Sequence, residues 1–182
     1  MRRRHLVVAI ALLAGCARNT SQQSSSSTSD AATARIHDGL AALRAGTAPF
    51  RTFDSAVAAG YPAQSAQCYY EPGTGAMGYH HVNRALLTRD LDPAKPQILL
   101  YERTADRKYN LTAVEYIVPY RMWPKDSTPP QVMGLPLGHV DVLNTWGLHM
   151  WIWKENRNGM FAWWNPDVQC LADSTRMPEH AM

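Results

Sequence analysis

Two histidines and two glutamates in this chain project from apolar, strand-like runs. In the run 111–118, alternation places Leu111, Ala113, Glu115 and Ile117 on one face and Thr112, Val114, Tyr116 and Val118 on the other. Glu115 therefore leaves an apolar strand whichever face is buried. In the preceding apolar run Ile98, Leu100 and Glu102 share one side. An ionised carboxylate among such neighbours is costly unless a metal, an arginine or several donors meet it. His80 and His81 are adjacent in the run Gly78-Tyr79-His80-His81-Val82-Asn83, so they face opposite sides and only one serves a given site. His149 shares a face with Trp151 and Trp153 in Leu148-His149-Met150-Trp151-Ile152-Trp153. A histidine from each of two strands plus one or two glutamates makes a mixed nitrogen and oxygen ligand set, suited to zinc, iron, manganese or copper. His80 with His149 is the leading pair, Glu115 the first carboxylate and Glu102 the second. No H-x-H or H-E-x-x-H motif is present. The same residues also fit a hydrogen-bonded structural network, with Glu102 then an edge-strand charge facing water.

The aromatic residues carry an alternative of a different class. Trp146, Trp151, Trp153, Trp163 and Trp164 crowd the last third, joined by Tyr79, Tyr101 and Tyr116. Flat rings with polar edges stack on sugar faces, quinones and other planar ligands. A non-catalytic module would then bind a small molecule or a partner protein through Trp151, Trp153 and Tyr101. The same tryptophans also serve as core filler on a buried strand. Nucleophilic hydrolase chemistry lacks its G-x-S-x-G turn, and phosphate-cradling glycine loops and dinucleotide fingerprints are missing. A glycosidase using Glu102 and Glu115 as paired carboxylates is a remote third option, because nothing fixes their separation.

The elements that must position these residues are legible in outline. Asp30 can cap a helix in which Ile36, Leu40 and Leu43 fall at i, i+4 and i+7, with Gly46 placed to end it. Phe53, Val57 and Ala58 suggest a second, shorter helix stopped by Gly60 and Pro62. Residues 97–104 and 108–119 read as an antiparallel hairpin, and 148–153 with 160–164 as another, turned through Asn156, Asn158 and Gly159. Between them, 120–144 is a proline- and glycine-rich loop around His139, long enough to cover a site. The expected fold class is α+β: two N-terminal helices packed on an antiparallel, barrel- or sandwich-like β-sheet.

At the N-terminus Arg2, Arg3 and Arg4 precede an apolar stretch over 6–13, too short to span a bilayer, and then Ala14-Gly15-Cys16. This resembles the lipobox of bacterial lipoproteins. The resemblance implies cleavage of a signal peptide over 1–15 and acylation of Cys16, by palmitate-type chains, as the membrane anchor. The full chain has a formal charge of +3, which equals the contribution of those three arginines, so the rest is formally neutral. No basic stripe remains for phosphate backbones, and nucleic acid is excluded as a partner. Residues 16–33, with four consecutive serines at 24–27, have the composition of a flexible tether, and 34–182 suit a single globular domain. Ala17 stands where an aspartate would signal inner-membrane retention, so the expected place is the cell envelope, at an outer membrane facing the periplasm where the host has one. With Cys16 lipidated, Cys68 and Cys170 remain as one pair in an oxidising compartment and are expected to form a disulfide.

One further resemblance covers most of the chain after the tether. The motifs Gly75-Ala76-Met77-Gly78-Tyr79-His80-His81-Val82-Asn83, Val114-Glu115-Tyr116-Ile117-Val118-Pro119, the His149 run above, and Trp164-Asn165-Pro166-Asp167-Val168-Gln169-Cys170 together resemble an uncharacterised family of exported bacterial proteins. In that family the second position of the histidine pair is often tyrosine, which favours His80 over His81 as the working residue. The resemblance implies one folding unit and brings no activity with it.

Overall fold

The computed structural model of the chain describes residues 20–64, 67–106, 108–170 and 175–176. The expected signal peptide and lipidated Cys16 lie outside the described residues. Helix α1 spans Thr20–Thr47, a 3-10 turn follows over Ala48–Arg51, and helix α2 spans Phe53–Ala58. The expected tether is corrected over 20–33, which is already helical. No glycine or proline interrupts the chain from Ala17 to Asp38, Ala31, Ala32 and Ala34 are strong helix formers, and each serine costs only about 0.5 kcal/mol relative to alanine. The later turns are held by packing: Leu43 is fully buried, with Leu40 half-buried beside it. The buried Thr47 closes the helix, its hydroxyl donating to the Leu43 carbonyl and accepting from the Trp153 indole.

The main sheet contains β1 (Gln67–Glu71), β2 (Gly75–Val82), β3 (Ile98–Arg103), β4 (Tyr109–Pro119), β7 (Gly138–Val140), β8 (Thr145–Met150) and β9 (Thr175–Arg176). Their order is β7-β8-β4-β3-β2-β1-β9. All neighbouring pairs are antiparallel except β1 with β9. The sheet curls into a half-barrel, so the α+β class with a barrel-like sheet is as expected. The short pair β5 (Gln131–Val132) and β6 (Leu135–Pro136) forms a separate hairpin. No described helix is long and apolar enough to cross a membrane.

The two faces of the sheet carry two separate cores. The face toward the helices gathers Leu43, Ala56, Tyr61, Leu99, Tyr101, Val114, Tyr116, Val118 and Trp146. The other gathers Met77, Ile98, Leu100, Ala113, Trp151, Trp164 and Val168. Strict alternation along β4 fails at one point. Leu100 pairs with Ala113 but Tyr101 with Leu111, so Thr112 is the extra residue of a bulge and Leu111 turns to the helix face, not to the face of Glu115. The Thr112 carbonyl leaves the ladder to accept from the amides of Trp153 and Lys154.

The expected hairpin of 148–153 with 160–164 does not form. Strand β8 is paired on both edges, by β4 and β7, and ends at Met150. The chain from Trp151 onward crosses the second face as a packed loop. Its polar groups are met by side chains: Asn156 donates to the Trp164 carbonyl, and Asn165 donates to that of Glu155 while accepting from Asp167 N–H. Asn165 and Ala76 exchange both backbone bonds, and two residues before the end of this loop Val168 packs into the second core. The disulfide between Cys68 and Cys170 then fastens the loop to β1, closing a separation of 102 residues. In the chain-entropy model that closure contributes roughly 4 to 5 kcal/mol. Urea denaturation of a Cys68→Ala, Cys170→Ala variant should show about 4 kcal/mol of lost stability, and a loss under about 1 kcal/mol would mean the loop is held by packing alone.

Candidate functional site

Strand register brings three of the four expected ligands to one place. Glu115 is paired with Ile98 on one side and directly with His149 on the other, so the Glu115 and His149 side chains rise together from the second face. His80 lies on β2, one strand further, paired with Leu100. The curl of the sheet lets it reach over β3, and its Nε2 comes within 3.7 Å of Glu115 Oε2. The His80 and Glu115 side chains are only 10% and 5% exposed, and His149 is 1% exposed. Gly147 makes room for the carboxylate: a Cβ there would lie 3.3 Å from Glu115 Oε1 and 2.8 Å from Val140.

Backbone carbonyls set the His80 tautomer. Its Nδ1 faces the Gly78 carbonyl at 3.0 Å and that of Gln67 at 3.3 Å, both acceptors, so Nδ1 carries the hydrogen and Nε2 presents a lone pair toward Glu115. The Gly78 carbonyl is aimed by an unusual backbone. With φ at +99° and a notional Cβ only 2.8 Å from the Tyr101 carbonyl, the position accepts glycine alone. His81 points the other way, as expected, with Nδ1 2.8 Å from the Pro62 carbonyl and its ring among Phe53, Tyr101 and Tyr109. His149 differs from both. Its two ring nitrogens are buried and neither has a hydrogen-bond partner, while the ring lies 4.8 Å from Trp151 and 6.0 Å from Trp163.

Burial makes all three groups neutral near pH 7. It pushes the Glu115 carboxyl up to about 8. Burial also lowers His80 to about 4, against the two carbonyls that favour its charged form, and lowers His149 to about 3, with His80 adding a smaller repulsion. The 3.7 Å approach of His80 to Glu115 is therefore a contact between neutral groups: desolvating both charges costs more than one attraction at that distance returns. As they stand, no group of three or more His, Cys, Asp or Glu side chains among the described residues is arranged to hold a metal ion.

A cavity of about 150 Å³ opens over the pair. Met77, Val82, Ile98, Ile117 and Val140 supply aliphatic walls, Tyr69 and Trp163 aromatic ones, and Leu143 the rim. Val82 and Ile117 were legible from alternation, two residues from His80 and Glu115. Trp163 was not, because it arrives on an irregular loop. The long segment before β8 does reach the site, through Val140 and Leu143. His139 does not: it stacks on Trp146 at 4.1 Å and meets the Tyr120 hydroxyl on the other face.

Glu102 is the correction among the expected ligands. It pairs with Asn110, four residues along β3 from the partner of Glu115, or about 13 Å away at strand rise. There it meets Lys154 Nζ at 2.9 Å and needs no metal. The aromatic surface is corrected as well. Trp151 is buried with its indole donating to the Ala162 carbonyl, Tyr101 is buried in the helix-side core donating to Phe50, and Trp153 sits beneath Arg44 and Arg51. The three share no face and form no exposed stacking platform.

The neutral cluster gives a pH signature in metal-free protein. Between pH 4.5 and about 8 folded Glu115 keeps a proton that the unfolded carboxyl has lost, so its contribution falls as pH rises. His80, His149 and His81, all lowered from 6.5, act oppositely and raise stability as pH climbs to about 6.5. Urea denaturation in chelator should show stability peaking near pH 6.5 and declining toward pH 8, and Glu115→Gln should abolish that decline. A Glu115→Gln profile parallel to wild type would assign the decline to other groups. Compared with protein-family models, curated proteins and solved structures, the chain matches none.

Proposed function

We propose that this is an envelope-anchored lipoprotein whose domain holds a divalent transition metal ion between His80, Glu115 and His149. The observation that carries the reading is His149: a buried imidazole with both nitrogens unpaired, directly opposite a buried carboxyl. Each unpaired buried polar atom costs about 1 to 3 kcal/mol. A cation uses the His149 and His80 lone pairs and the Glu115 carboxylate together. The imidazoles are already in the neutral form that binds metal, and an ion would draw Glu115 into its ionised form. Closing the set requires the His149 and Glu115 side chains to turn toward His80 Nε2. Two imidazoles and one carboxylate leave open coordination positions, which suit zinc, iron, manganese or copper and permit polarisation of a bound molecule or activation of water.

The test is the metal content of the chain, exported into an oxidising compartment, purified without a metal-binding tag and compared with a His80→Ala, His149→Ala variant. Near-stoichiometric metal in the wild type and none in a variant of unchanged ellipticity is the expected result. An empty wild type after exposure to zinc, copper, manganese and iron would sink the reading. Anchoring at Cys16 is checked separately: Cys16→Ala should move the protein from the membrane fraction to the soluble one, and unchanged fractionation would rule out the lipid anchor.

A further inference from the structure

The cavity above His80 and Glu115 is itself selective. Its volume, about 150 Å³ with aliphatic walls, matches one benzene-sized ring and little more. Among its lining residues there is no lysine or arginine, and Glu115 is the one acid. An anionic ligand would meet no counter-charge there and would lose its hydration. At the floor, His80 Nε2 presents a lone pair because its other nitrogen is committed to the Gly78 and Gln67 carbonyls, and Glu115 Oε2 lies 3.7 Å beyond. That lone pair calls for one donor on the ligand. The entrance is apolar too: Leu143 on the rim is 53% exposed and Val142 beside it 39% exposed, in a turn that ends at Asn144 with φ at +51°.

We infer that the cavity binds a small neutral ring compound bearing a single hydroxyl, a phenol, with the ring against Val82, Ile98 and Ile117 and the hydroxyl at His80 and Glu115. The inference concerns the same site without metal, where His80 Nε2 is free to accept from the hydroxyl. The size and polarity of the walls carry the choice of ligand.

Calorimetric titration of the full chain with phenol, toluene and benzoate, alongside metal analysis of the same samples, is the test. Phenol should bind at least about tenfold more tightly than either comparator, a difference calorimetry resolves readily. Val82→Phe, which fills the wall, and Leu143→Trp, which narrows the exposed rim without disturbing the core, should each weaken phenol about tenfold or more and leave metal content unchanged. Benzoate binding as well as phenol, or phenol binding untouched by both substitutions, would overturn the inference. A chain stripped of metal by chelator that ignores phenol defeats this inference alone, whereas a chain that takes phenol and never metal defeats the metal reading alone.

Discussion

The pairing register of β4 is the constraint on which the rest depends. This strand is hydrogen-bonded along both edges, to β3 and to β8, and it carries Tyr116 and Val118 to the helix face and Glu115 and Ile117 to the other. A slip by one residue would send Glu115 into the helix-side core and Tyr116 out of it. The Tyr116 hydroxyl, which donates to the Pro93 carbonyl, and the Ile117 amide, which donates to the Gln97 side chain, both resist such a slip. The bulge at Thr112 confines the local irregularity to the strand's first half, leaving 113–119 in regular pairing beneath the site.

Within that register, electrostatics follows from burial. Three ionisable groups share an environment with little water and no compensating cation among the lining residues. Neutralisation is the cheapest response for each, and the two histidines and one glutamate move their proton affinities in opposite directions to reach it. The result is a polar cluster without charge, held at the base of an apolar cavity. Such a cluster is poorly suited to stabilising the fold, because a well-packed apolar trio would avoid the unpaired nitrogens of His149.

The second face would be open without the loop after β8. Trp151, Trp163 and Trp164 close it from above, the Asn156 and Asn165 side chains replace the ladder bonds that a hairpin would have made, and the disulfide ties the loop's end to β1. Strand residues and two residues from outside the strands, Leu143 and Trp163, thus bound the site together. The sheet supplies the polar floor and Val140, and irregular segments supply Trp163 and Leu143 around the opening.

Much of the fold and part of the site were legible beforehand, each for a definite reason. The hairpin of β3 with β4 and the two helices follow from local periodicity, and the opposed directions of His80 and His81 from the two-residue repeat of a strand. The pairing of Cys68 with Cys170 follows from there being no other candidate once Cys16 is set aside. Local alternation identifies Glu115, His80 and His149 as polar groups on apolar strands, but it treats Glu102 the same way, because period carries no information about position along a neighbouring strand. The sequence by itself determined which residues are strand-borne and chemically unusual. Only the tertiary structure decided which of them meet: the register of three strand pairs, the bulge at Thr112 and the curl of the sheet set those distances, and each is a property of non-local pairing that no single segment contains.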